Sequence, residues 1–164
     1  MIRRATPSDY ATIEALIRRQ HKASKYAQRV TINDKALSQL MLGLHASQGQ
    51  SGPQASFVTV SEEHGVVRGF IAASLSRIYN IGAKLGASDL FLVNEGSAGA
   101  AMRLIDAYVA WASANPRVIE IGLTWTDALP RADRAAALYR RKGFVRTGEI
   151  FVMRLDAPAE RIAA

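Results

Sequence analysis

The chain has 164 residues, of which 49% are hydrophobic and 21% charged, with no cysteine and a formal net charge of +7. That balance is the one of a single packed domain and excludes a disordered chain; the missing cysteine excludes disulfides, thiolate metal sites and cysteine nucleophiles. No apolar run approaches the roughly 20 residues of a membrane span, and the basic start leads into charged helix, so the expectation is a cytoplasmic protein with one domain over residues 1–156 and a short frayed tail over 157–164.

The elements follow in chain order. A short strand is expected at Ile2–Ala5, followed by the helix-start cluster Thr6-Pro-Ser-Asp9, with Pro7 or Ser8 at the cap and Asp9 in the positive first turn. Tyr10, Ile13, Leu16 and Ile17 then trace one helical face. A second helix opens at Asn33 or Asp34, because Ala36, Leu37, Leu40, Met41 and Leu44 recur at helical spacing. Phe57–Val60 and Val66–Ile78 read as strands around a turn at Glu62–Gly65, with Gly69 at a bulge. The strand Ser88–Val93 runs through Asn94–Met102 into an amphipathic helix that stops at Asn115-Pro116. Strand Val118–Trp125, a helix from Arg131 to Lys142 closed by Gly143, and a strand from Phe144 to Leu155 complete an α+β domain in the order β-α-α-β-β-β-α-β-α-β.

The excess positive charge favours an anionic partner. Arg3/Arg4, Arg18/Arg19 and Arg140/Arg141/Lys142 lie on separate elements without a nucleic-acid signature, so a polyphosphate fits better than a duplex. The strand-to-helix turn supplies a place for it. The first N–H groups of a helix lack internal partners and attract an anion, and small residues let a phosphate reach the backbone. Gly96-Ser-Ala-Gly99-Ala-Ala101 meets that need, although such a stretch also serves plain capping or packing. Neither a Walker loop nor a Rossmann fingerprint fits, since no Lys-Ser or Lys-Thr follows the glycines and the glycine spacing is wrong for the latter.

Asp89 to Ile105 resembles the coenzyme A loop of GNAT acyltransferases, Arg/Gln-x-x-Gly-x-Gly/Ala, with Gly99 and Ala101 on the small positions and Gly96 where the family has Arg or Gln. Arg134–Phe144 is similar to the family's Ala-x-x-x-Tyr-x-x-x-Gly-Phe block, with Ala132 where an Asn is usual. The long small-residue turn and the Trp111-Ala112 helix end resemble bacteriophage-encoded members. The resemblance implies a GNAT-like mixed central sheet flanked by helices, acetyl-CoA as co-substrate, no metal, and transfer of an acetyl group to a primary amine. It implies cofactor contacts from Leu92, Val93, Gly96, Ser97, Ala98, Gly99, Ala100, Ala101 and Met102, with Leu92 or Val93 at a bulge offering an amide to the thioester carbonyl. Tyr139 would protonate the leaving sulfur, unless it is simply an aromatic packing its helix on the sheet.

Asp89 and Glu120, on neighbouring strands, are the candidate bases, and solvated strand-end carboxylates are the alternative for both. Trp125 and Tyr79 are candidates for lining the acceptor pocket, with core packing equally open, while His21, His45 and His64 read as surface residues. The expected partners are a small-molecule or protein amine acceptor, with a homodimer left open, and neither membrane nor nucleic acid. The departures at Gly96 and Ala132 keep a second reading in play, a catalytically weak GNAT-fold protein that binds coenzyme A as an accessory.

Overall fold

A computed structural model describes residues 1–126, 128–129, 132–148, 150 and 152. Its strands are β1 (Ile2–Arg4), β2 (Ser56–Glu63), β3 (Val66–Arg77), β4 (Leu85–Asn94) and β5 (Val118–Gly122), and its helices α1 (Tyr10–Lys22), α2 (Asp34–Ser47), α3 (Ala98–Ser113) and α4 (Ala132–Arg141). The five strands form one sheet in the order β1-β2-β3-β4-β5. All neighbours are antiparallel except β4 and β5, which run parallel and are joined through α3.

Alternation along the strands divides the core between two faces. Val58 and Val60 of β2, Phe70 and Ala72 of β3 and Val93 of β4 pack with Ile13, Leu16 and Ile17 of α1 and Leu37, Met41 and Leu44 of α2. The other face carries Ile71, Ala73 and Leu75 of β3 with Leu85 and Ala87 of β4, covered by Leu104, Tyr108 and Ala112 of α3. Those three helical positions are spaced i, i+4, i+8, and each is fully buried. Burying a side chain of Leu size is worth about 1.5–3 kcal/mol, far more than the tenths that separate helix propensities, so packing on the sheet holds α3 in place.

Local chemistry sets the helix ends. Asn33 caps α2, its side chain accepting from the Ala36 amide at 3.0 Å, and Ser97 caps α3 in the same way through the Ala100 amide at 3.2 Å. The first cap differs from the expected Pro7 or Ser8. Thr6 takes that place ahead of a single 3-10 turn over Pro7–Asp9, and the Asp9 carboxylate reaches back to the Thr6 amide at 2.8 Å. Gly143 closes α4 with φ +85°, as a left-handed helix end favours.

Three strand expectations shift. β5 ends at Gly122, well before Trp125. The irregularity near Gly69 falls on Arg68, because Ser61 pairs with Gly69 and Glu62 with Val67. Gly69 itself is required by close approach, since a Cβ there would lie 2.7 Å from the Val93 carbonyl oxygen. The final strand expected from Phe144 to Leu155 lies partly outside the described residues, and those of its residues that are described (144–148, 150 and 152) are not in a strand. The tail over 157–164 also lies outside the described residues.

The edge of the sheet at β1 is tied to α1 by charge. Arg3 forms two hydrogen bonds to the Asp9 carboxylate, at 2.7 and 2.8 Å, and one to Glu62 at 2.9 Å. The Arg3 guanidinium holds the Asp9 carboxyl well below the usual carboxylate range, with the Thr6 bonds assisting. A carboxyl depressed on folding contributes stability that is complete above its unfolded value and is lost as pH falls toward the folded one. Urea unfolding of the wild type should therefore show a stability decline below about pH 4, and in Asp9→Asn that decline should be shallower while the stability at pH 7 is lower.

Candidate functional site

The parallel pairing of β4 with β5 is short. Leu85 pairs with Val118, Gly86 with Glu120, Ala87 with Ile121 and Ser88 with Gly122, and there it ends. Beyond Ser88, the β4 edge facing away from β3 has no strand partner among the described residues, although the β3 side stays paired through Asn94. The strand also changes parity at this point. Ala72 pairs with Phe91 and Ala73 with Asp89, which leaves Leu90 as an extra residue. Ala87 and Asp89 thus face α3, and after the bulge Leu92 faces α3 while Phe91 and Val93 face α1 and α2. The bulge sits at Leu90 and not at Leu92 or Val93, which pair regularly with Ile71 and Phe70.

The open edge leads into the turn before α3. Asn94 braces that turn, its side-chain amide donating to the carbonyls of Gly96 at 3.2 Å and Ser97 at 3.0 Å. Ser97 caps Ala100, and the Ala101 amide bonds the Ser97 carbonyl as part of the helix. The amides of Ala98 and Gly99 have no partner among the described residues, and both residues are exposed. The helix therefore presents two unpaired donors at its positive end.

One of the turn's donors is already taken. The Glu63 carboxylate, at the end of β2, accepts from the Ser97 amide at 3.1 Å and from the Ser97 hydroxyl at 2.8 Å. A Cβ at Gly96 would meet that carboxylate at 3.0 Å. Ser97, with help from the positive charge of Arg103, holds Glu63 below its ordinary carboxylate value. The amides of Ala98 and Gly99 are thus open to an anion, whereas that of Ser97 is held by Glu63. Ala100 and Ala101 are buried with their amides bonded to Ser97, so neither offers a free donor, and Met102 is half-buried near the start of α3.

At the other end of the open edge, three titratable side chains gather. Asp89 is half-buried, and its Oδ1 accepts from the Thr124 amide at 2.6 Å. Burial pushes its carboxyl above the ordinary value, with the Thr124 amide and side chain pulling the other way. Tyr139 of α4 is 9% exposed and donates to the Thr124 carbonyl at 3.4 Å. Burial first, and then the charge of Asp89, push its phenol up to about 12, so it is a neutral donor at physiological pH. Tyr108 of α3 is fully buried, donates to the Gly122 carbonyl at 3.0 Å, and is raised by the same two causes.

Other candidates fall elsewhere. Glu120 pairs with Gly86 and is exposed on the opposite face from Asp89, because its neighbour Ile121 is the residue that packs toward α3. Tyr79 is 90% exposed, with φ +53°, beyond the Arg77 end of β3. A hollow of about 270 Å³ lined by Gln54, Ser76, Arg77 and Asn80 lies at that end, remote from the turn. Trp125 follows Thr124 and is 46% exposed. His21 meets the Val30 carbonyl and His45 packs edge-on against Tyr10, whereas His64 is close enough to Glu63 to act on its charge. Among the described residues, no group of three or more His, Cys, Asp or Glu could hold a metal ion, and no helix is long and apolar enough to cross a membrane.

Sequence reasoning missed Glu63, Asn94, Arg103, Tyr108 and Thr124. Asn94 carried a signal, an Asn at the last position of a strand, two residues before a glycine. Glu63 and Thr124 carried none, since each meets its partner only through the fold.

No protein-family model matches the chain, and no curated protein matches it by sequence. Solved structures match by shape. A transcriptional regulator from Bacillus halodurans superposes with a TM-score of 0.70 at 13% identity, over 94% of this chain and 99% of its own. An aminoglycoside acetyltransferase from an uncultured soil metagenomic sample gives 0.62 at 19%, over 98% of both chains. A GNAT family acetyltransferase from Staphylococcus aureus gives 0.57 at 13%, over 94% and 98%. The bacteriophage qualifier gains no support from them. At such identities the likeness is one of architecture, and it is close to complete in extent: the chain has the GNAT fold from end to end of the described sheet.

Proposed function

We propose that this protein is an N-acyltransferase that moves an acetyl group from acetyl-CoA to a primary amine. One observation carries the reading: the unpartnered β4 edge beyond Ser88 runs directly into the unpaired amides of Ala98 and Gly99. A molecule with amide groups along a thin arm and a pyrophosphate at its end matches that slot, the arm lying as an added strand and the phosphates at the helix terminus. Arg103, one turn into α3, and the net charge of +7 favour the same polyanion.

The chemistry places distinct demands on the chain. The amine nitrogen attacks the thioester carbonyl carbon, the carbon–sulfur bond breaks, and the sulfur takes a proton. Tyr139, whose long bond to the Thr124 carbonyl is easily surrendered, supplies that proton. The proton lost by the amine passes to solvent, and solvent returns one to the Tyr139 phenolate. The outward Leu90 bulge, close to the place where β4 leaves β5, is the position for an amide that polarises the thioester carbonyl.

A second reading, coenzyme A binding without efficient transfer, is favoured by the Glu63 carboxylate seated in the turn and by Gly96 in place of a long donor. The two separate in a thiol-release assay with acetyl-CoA over a panel of primary amines. The chain has no cysteine of its own, so every thiol counted comes from the substrate. Release above the uncatalysed rate with at least one amine supports transfer; calorimetric binding of acetyl-CoA without release from any of them supports the second reading.

Replacing Glu63 by Gln should tighten coenzyme A binding about three- to tenfold at low salt, by removing a negative charge from the phosphate site. The gain should shrink as salt is raised. Because Glu63 is held below its ordinary value, the gain should persist from neutral pH down to the carboxylate range and vanish beneath it. Gly99→Asp should weaken the same binding at least tenfold by calorimetry.

In the transfer assay, Tyr139→Phe should lower kcat by about 10²-fold, the lower end for loss of a general acid, with little change in the KM for acetyl-CoA. An unchanged kcat would reduce Tyr139 to a packing residue.

A further inference from the structure

Three polar side chains from three elements converge on a single short stretch of backbone. Tyr108 on α3 donates to the Gly122 carbonyl, Asp89 on β4 accepts from the Thr124 amide, and Tyr139 on α4 donates to the Thr124 carbonyl. This stretch is where β5 parts from β4, so no strand pairing holds it from Thr124 onward. The shortest of the three bonds belongs to Asp89, at 2.6 Å. A general base needs a lone pair aimed at the incoming amine, whereas this carboxylate is half-buried on the α3 face and engaged by both the amide and the side chain of Thr124. The titratable groups facing it are Tyr108 from α3 and Tyr139 from α4; Glu120 of β5 points to the other face.

We propose that Asp89 is a positioning residue: by anchoring the Thr124 amide it fixes the carbonyl on which the Tyr139 hydroxyl rests, and so fixes where that proton is delivered. The inference rests on the reading of Tyr139 as proton donor. Its physical content is geometric, since a displacement of the order of 1 Å at a reacting group costs about 10²-fold in rate. An asparagine at position 89 keeps an Oδ1 acceptor for Thr124 without the charge; an alanine keeps neither.

The test measures thiol release from acetyl-CoA with the fastest amine of the panel, alongside amide exchange at Thr124 by ¹H–¹⁵N spectroscopy. Asp89→Asn is expected to retain kcat within threefold, with the acid limb of the pH profile unchanged and a protected Thr124 amide. Asp89→Ala is expected to lose about 10²-fold in kcat with the KM for acetyl-CoA within twofold, and to exchange the Thr124 amide at least tenfold faster. If the alanine variant does not fold, Asp89→Ser takes its place. The proposal is overturned if the asparagine variant loses as much as the alanine one and the acid limb of the pH profile disappears, which would make Asp89 the base. It is equally overturned if the alanine variant keeps wild-type exchange at Thr124. Failure of the acyltransferase reading shows separately, as a wild type that neither binds acetyl-CoA nor releases thiol, and the exchange comparison then decides the anchor by itself.

Discussion

The parting of β4 from β5 after Ser88 is the constraint from which the rest of this molecule follows. Parallel strands need a crossover, and α3 provides it by packing Leu104, Tyr108 and Ala112 onto the face shared by β3 and β4. The same helix must begin where β4 ends, so its unpaired amides open beside the strand edge that β5 has abandoned. Had the pairing continued to Asn94, that edge would be closed and the helix terminus would face only solvent. The Leu90 bulge is part of this arrangement, because one extra residue turns Asp89 toward α3 while keeping Val93 in the opposite core.

The turn itself shows a compensation between two positions far apart in sequence. Gly96 lacks the long donor found at this point in the GNAT loop pattern, and the space left free is filled by the Glu63 carboxylate, which bonds Ser97 twice. A helix N-terminus attracts negative charge whether it comes from a ligand or from the chain. Here both answers are available, one internal and one from solution, and the internal one leaves Ala98 and Gly99 untouched.

How much of this could be read in advance depends on how local each signal is. The end of α3 was legible because Pro116 is a firm stop close by, while its start was placed only within Asn94–Met102, where the structure puts the cap at Ser97. The Asn33 cap and the helical spacing of Leu37, Met41 and Leu44 were legible for the same reason. The bulge was expected on β4 but placed at Leu92 or Val93, since its position is defined by which residues of β3 lie opposite, a fact absent from β4 alone. Glu120 and Asp89 looked equivalent as strand carboxylates. Their separation to opposite faces depends on a register irregularity between Leu85 and Gly86, where the extra residue Ile119 resets the parity of β5. Tyr139 and Asp89 do come together, through Thr124, a residue with nothing to recommend it in isolation.

Charge at the turn adds a last step. The acidic residues closest to it are both engaged: Glu95 forms two bonds to Arg19 of α1, at 2.8 and 3.0 Å, and Glu63 is bound to Ser97. Glu95 is thereby neutralised in place, by a partner on another element. Glu63 is hydrogen-bonded only to the neutral donors of Ser97, and the Arg103 cation acts on it through space. Displacing Glu63 therefore breaks no ion pair, while it leaves Arg103 facing the vacated position. On the proposed reading, a polyanion entering the turn breaks the two hydrogen bonds of Glu63 to Ser97 and takes over the attraction of Arg103, one anion replacing another.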